Sequence, residues 1–252
     1  YMLGLSATPN RKDGLRWVFE AYIGDISYIS KDVNEDYVEV QIINYNNDDK
    51  KYSGEELTYQ KKPCFPKMIN NICNFEPRTK LMVEKLKILF NEGRCILVLS
   101  DRRNHLQLIY ELLKLEEIDS GFYVGGMKPQ DLRDSQEKNI ILGTFSMASE
   151  GMDIPKLNTI ILGSPKSDVV QSVGRILRQK KDKRKFHPLI IDINDNFSIF
   201  INQSKKRLAF YSKNNYDITY YEDDGSKHTY VKKTKGNKKK KTQSLNLEEC
   251  LI

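Results

Sequence analysis

The chain has 252 residues, 39% of them apolar and 30% charged, which is long enough to bury a core without disulfide staples. No apolar run reaches the length needed to cross a bilayer, and the first residues carry neither a basic segment nor a long apolar one, so a membrane protein and a secretory leader are both excluded as expectations. The net charge of +7 is local: residues 232–241 hold seven lysines and no acid, which leaves 34 basic against 34 acidic side chains elsewhere. A basic tail on a neutral body is therefore the reading, and a basic groove does not follow from the total. Cys64, Cys73, Cys95 and Cys250 form no C-x-x-C pair, and His105, His187 and His228 lie far apart, so reduced thiols and no zinc site are expected in an intracellular protein.

Residues 1–5 form an apolar run of strand type that ends directly in Ser6-Ala7-Thr8-Pro9, so the chain reads as beginning inside a domain. Leu15, Val18, Phe19, Tyr22 and Ile23 recur at helical spacing before Gly24. A strand at Ile26–Ile29, a junction near residues 30–36 and a strand over Tyr37–Ile43 follow. Residues 44–66, rich in Asn, Asp and Lys, read as an excursion or loop of no legible role, and helices are expected at 67–74 and 79–92. Strands then alternate with helices: strands at 95–99, 121–124, 140–144, 159–162 and 189–193, helices at 102–115, 167–179 and 197–213. Unbroken apolar runs such as Ile96-Leu97-Val98-Leu99 suit strands buried on both faces. The fold class is α/β, a doubly wound parallel sheet with helices on both faces. Tyr216–Tyr221 and His228–Val231 flank Asp223-Asp224-Gly225, a hairpin signal, and the lysine run beyond is expected to be disordered.

In such a sheet ligands sit beyond the carboxyl ends of the strands. The first strand exits into the hydroxyls of Ser6 and Thr8, and the strand at 140–144 exits into a loop running to Pro155 with Gly151 inside it. The segment Gln171-Ser172-Val173-Gly174-Arg175-Ile176-Leu177-Arg178 places Gln171, Arg175 and Arg178 on one face if it is helical. Two guanidiniums presented together suit a terminal phosphate. An exposed basic helix paired with acids is the competing reading of these residues taken alone.

In order and spacing these segments resemble the second half of superfamily 2 helicases and translocases. Ser6-Ala7-Thr8 resembles motif III, Ile96 to Ser100 motif IV, Thr144 to Pro155 motif V, and Gln171 to Arg178 motif VI. The wording is similar to the branch of excision-repair-type, phage recombination and large-DNA-virus transcript-release helicases. The resemblance implies a RecA-like sheet. Residues 1–30 would be the end of a truncated first RecA-like domain, 31–77 a junction and variable excursion, 78–214 the second RecA-like domain, and 215–252 a hairpin and lysine-rich tail.

It also implies roles. Arg178 would be the arginine finger on the γ-phosphate of ATP, Arg175 would touch the same phosphate, and Gln171 would join the interdomain network. Gly151 and Asp153 would couple the nucleotide to the sheet, Ser6 and Thr8 would couple hydrolysis to strand movement, and Ser100, Thr144 and Ser146 would meet nucleic acid. ATP with Mg2+ would be the cofactor, single-stranded or forked DNA the partner with RNA as the alternative, and 3′ to 5′ the polarity. The missing N-terminal RecA-like domain and transcription machinery would be further partners, and a viral protein would sit in host cytoplasm or virion.

No Gly is followed by Lys anywhere, so the phosphate-cradling G-x-x-x-x-G-K-[ST] loop is absent. This chain alone is therefore expected not to hydrolyse ATP. A noncatalytic RecA-like binding module for nucleic acid or a transcription partner is the rival reading. Asp223 and Asp224 read as turn residues, Asp192 and Asp195 as a helix cap or a nucleotide contact, and Trp17 as core or interface.

Overall fold

The computed structural model describes residues 3–4, 14–28, 37–149, 152–179, 183–222 and 227–229. The chain divides into two compact units, Tyr1–Glu35 and Asp36–Ile252. In the first, α1 (Arg16–Ile23) forms where the apolar spacing places it and stops at Gly24, whose φ of 104° is a left-handed value that favours glycine. No residue of α1 is buried, and Trp17 is 63% exposed, so the indole is not core within its own unit. Residues 26–28 form no strand, which corrects the expectation there, and Ile29 lies outside the described residues.

The second unit is built on β1 (Glu39–Tyr45), β2 (Ile96–Ser100), β3 (Ser120–Tyr123), β4 (Ile140–Thr144), β5 (Thr159–Leu162), β6 (Leu189–Asp195), β7 (Asp217–Glu222) and β8 (Lys227–Thr229). The spatial order is β3-β4-β2-β5-β6-β1-β7-β8. The first seven strands of the chain run parallel, and β8 pairs antiparallel with β7 through Tyr220 and His228. The excursion-side strand β1 is thus not peripheral: it lies between β6 and β7, in register Ile42 to Asp192 on one side and Ile42 to Tyr220 on the other.

The central strands lack alternation because both faces are covered. Ile96 and Val98 of β2 enter one core with Met82, Leu86, Leu106 and Ile109, while Leu97 and Leu99 enter the other with Phe145, Ala148, Val173 and Ile176. The first face is covered by α3 (Phe65–Asn74), α4 (Glu76–Asn91) and α5 (Arg103–Leu115). The second is covered by α7 (Phe145–Ser149), α8 (Val170–Val173) and the 3-10 turn Gly174–Leu177 that continues it, together with Tyr211 of α9 (Phe200–Lys213).

Two differences from the sequence reading have plain causes. α6 (Pro129–Gln136) was not foreseen because it buries only Ser135 and has no apolar stripe to betray its period. The helix expected over 167–179 is instead α8 followed by the 3-10 turn, with its break at Gly174. The excursion also has order: α2 (Lys50–Ser53) is capped by the Asp49 carboxylate, which accepts from the Lys51 amide at 2.9 Å, and Tyr52 is buried. The lysine run and the turn at 223–226 lie outside the described residues.

Candidate functional site

The chain leaves β2 on one side and returns on the other, so β4 and β5 flank it and their carboxyl ends open a crevice. An open cleft of about 300 Å³ occupies this position, lined by Asp101, Arg103, Thr144, Phe145, Ser146, Ser149 and Lys166. β4 passes directly into α7, which sets the Thr144 and Ser146 hydroxyls 3.2 Å apart at the mouth. Lys166 reaches in from the loop after β5, where both Asp101 carboxylate oxygens accept from its ammonium at 3.1 and 3.2 Å and the Phe145 ring lies 5.1 Å below it. Arg103 donates to the Gly125 carbonyl at 2.5 Å. Two cations, one carboxylate and the hydroxyls of Thr144, Ser146 and Ser149 line the cleft, a set that suits an anionic backbone.

Ser100, expected in this cleft, is fully buried below it. Its hydroxyl lies 3.0 Å from His105 Nδ1 and accepts from the Arg102 amide at 3.2 Å. The hydroxyl holds the start of α5 to the strand end. His105 bridges onward to Thr79 of α4 at 3.3 Å, and burial, followed by the Arg78 charge, pulls its imidazole down to about 3, so it is neutral.

Gln171, Arg175 and Arg178 do not share an outward face, because the 3-10 turn rotates Arg175 inward. Its Nε and two terminal nitrogens donate to the carbonyls of Ala148, Met152 and Ser149 at 2.6, 2.7 and 2.8 Å, and the residue is 8% exposed. Burial, and then the Arg178 charge, lower its pKa from the ordinary value. Its donors are engaged by the end of α7 and the segment after it. Arg178 is 37% exposed in its side chain and pairs with the Asp153 carboxylate, itself 71% exposed. Such a pair contributes little to stability and yields its donors readily, so Arg178 fits the requirement for a guanidinium free to meet a phosphate. Gln171 is exposed on α8. Ser6, Thr8 and Gly151 lie outside the described residues.

Sequence reasoning missed two buried arginines. Arg78 of α4 gives Nε and one terminal nitrogen to the Asp195 oxygens at 2.7 and 3.0 Å and its other to the Gly163 carbonyl at 2.6 Å. The Tyr52 hydroxyl donates to the same carboxylate at 2.7 Å. Arg207 of α9 binds Asp192 at 2.8 Å, Asn194 at 3.0 Å and the Lys166 carbonyl at 2.8 Å. Burial by itself lowers the pKa of both guanidiniums, and the aspartates more than offset it, so each pKa is raised. Asp192 and Asp195 are therefore neither helix cap nor nucleotide contact, since α9 has no side-chain cap and both carboxylates are buried in ion pairs. The loop 163–166 is thereby gripped at both ends, which fixes the lysine that enters the cleft.

Comparison with known proteins agrees with this geometry. Residues 79–180 match the helicase conserved C-terminal domain. "Putative ATP-dependent RNA helicase L396" of Acanthamoeba polyphaga mimivirus is 39% identical over 240 residues, covering 91% of this chain and 45% of the relative. "Putative helicase 22" of Sulfolobus islandicus filamentous virus is 29% identical over 228 residues, covering 82% and 40%. The chain thus spans less than half the length of these relatives. The fold matches the crystal structure of T4 UvsW with a TM-score of 0.57 at 20% identity, over 74% of this chain and 41% of that one. The parallel sheet with its covering helices is an α/β RecA-like fold. The matched domain and the viral relatives support a superfamily 2 helicase C-terminal half.

Proposed function

We propose that this chain is the second motor lobe of a nucleic-acid-dependent ATPase, an ATP-driven helicase or translocase. The observation that carries the reading is the double use of the β4–α7 junction: it presents Thr144 and Ser146 to the cleft, and the end of α7 is gripped by Arg175, three residues from Arg178. A displacement of Arg178 toward a phosphate is therefore transmitted through a hydrogen-bonded segment to the cleft wall. ATP with Mg2+, bound against the other RecA-like half of the intact protein, supplies the phosphoryl group whose transfer to water drives the cycle. This chain's residues do the rest: Arg178 leaves Asp153 to neutralise the terminal phosphate, and Arg175 keeps the 3-10 turn and α7 moving as one body. Thr144, Ser146, Arg103 and Lys166 hold backbone phosphates.

Single-stranded or forked DNA, followed 3′ to 5′, is the substrate proposed. RNA is the second reading, favoured by the RNA named for the 39% identical mimivirus relative. The test is ATP turnover by the intact protein without nucleic acid and with single-stranded DNA, forked DNA and RNA, for the wild type and Arg178→Ala. Stimulated turnover lost with Arg178 supports a motor. Turnover indifferent to nucleic acid and to Arg178 would replace it with the binding module.

A further inference from the structure

Residues 44–66 have no part in the motor reading, yet their structure is specific. After α2 the chain makes a small hairpin, closed by an antiparallel bridge between Leu57 and Pro63. Inside it the Thr58 amide donates to the Lys62 carbonyl at 2.7 Å, and the Lys61 amide to the Thr58 carbonyl at 2.9 Å. The turn requires a left-handed φ of 57° at Lys61, a conformation unusual for a side-chain-bearing residue. What this turn displays is Tyr59, fully exposed at its tip, with Lys61 and Lys62 exposed beside it.

The hairpin stands next to a second cleft, of about 350 Å³, lined by Lys50, Lys51, Glu56, Asn71, Asn74 and Phe75. From residue 50 to residue 67 there are five lysines and two glutamates, and Glu55 is engaged, accepting from the Ser198 hydroxyl at 2.6 Å. Hydrogen bonds tie the wall of this cleft to the start of α5. The Asn74 carboxamide on its wall accepts from Asn104 at 2.9 Å, and Arg102 donates to Asn70 on the same helix at 2.5 Å. Arg103, between Arg102 and Asn104 in sequence and the first residue of α5, lines the first cleft.

We propose that the excursion is an auxiliary single-strand contact: Tyr59 stacks on a base while Lys50, Lys51, Lys61 and Lys62 take phosphates of the strand that continues from the main cleft. The chemistry is that of sequence-tolerant single-strand binding, an aromatic face set among cations along a backbone track. The residues at the turn around the ring, Thr58, Gln60, Lys61 and Lys62, are polar and exposed, while the exposed apolar Leu57 and Pro63 stand at the base of the hairpin. The proposal rests on the motor reading and extends its track beyond the family's motifs.

The test is the affinity of the intact protein for a fluorescently labelled single-stranded oligonucleotide across a salt series, with unfolding temperature as the check on folding. Tyr59→Ala is expected to weaken binding by roughly 5- to 100-fold, and Tyr59→Phe to bind like the wild type. Lys61→Glu with Lys62→Glu is expected to weaken binding and to flatten the slope of log affinity against log salt by about 1.4, the value for two lost phosphate contacts on a single strand. Arg103→Glu with Lys166→Glu reports on the main cleft separately. If that pair weakens binding while the Tyr59 and lysine variants bind like the wild type, the auxiliary contact is refuted and the motor reading stands. If the wild type binds no single strand, both fall. A lysine effect with Tyr59→Ala unchanged would overturn the stacking contact.

Discussion

Two stretches of the same sheet edge behave in opposite ways. At the end of β6, Asp192 and Asp195 meet Arg207 and Arg78 and are sealed in, with three of these four side chains at most 1% exposed and Arg207 at 2%. At the ends of β2 and β4, Lys166 faces Asp101 and Thr144 faces Ser146, but the groups stay half-exposed around an open cleft. Both stretches bring charge to strand ends. Only the second leaves donors that a ligand can claim, because each buried guanidinium is already saturated by a carboxylate and carbonyls. The same contrast separates Arg175, spent on three carbonyls, from Arg178, which has an exposed carboxylate as its partner.

The sharpest break in that comparison is Arg178→Ala, expected to lower nucleic-acid-stimulated ATP turnover of the intact protein by about a thousandfold or more. Urea unfolding of the same variant should move by no more than about 0.5 kcal/mol, since the side chain is partly exposed. Arg78→Ala should do the reverse to stability. It leaves Asp195 charged and buried, and a loss of about 3–5 kcal/mol in the urea denaturation free energy is expected; a cost near zero would show that the pair is not sealed.

A pH dependence follows from His105. Folded, it stays neutral to about pH 3, while the unfolded chain takes up its proton near 6.5. The unfolded state therefore binds more protons between those values, so the stability His105 contributes is whole above about pH 6.5 and is lost progressively as the pH falls toward 3. His105→Gln should make the urea midpoint decline less between pH 7 and pH 5 than in the wild type, and an equal decline in both would remove His105 as the cause. The smallest effect belongs to Lys166→Ala, expected to flatten the salt slope of single-strand binding by about 0.7 while leaving the buried pairs intact. An unchanged slope would place the phosphate path elsewhere.

The β-rich runs and helical periods of residues 95–115, 140–144, 159–162 and 189–213 declared their elements because each buries apolar side chains at a regular spacing. α6 stayed hidden for want of such a spacing, and the inserted hairpin because its order comes from turn hydrogen bonds and a bridge between only two residues. At the candidate site, Thr144, Ser146, Asp153 and Arg178 are proposed from the order of the motifs along the chain. Ser100 and Arg175 belong to the same motifs, yet their side chains turn inward, a matter of rotation about the helix and strand that no motif encodes. Arg78 and Arg207 gave no signal at all: each lies on a polar-looking helical stretch, and its aspartate partner is 117 or 15 residues away.

The amino-acid sequence by itself determined the class of fold and the order of the motifs, because periodicity and motif spacing are local along the chain. Only the tertiary structure decided which charged groups are consumed and which remain free. That depends on partners brought together across the sheet, where burial makes an unpaired charge costly and leaves exposed pairs open to exchange.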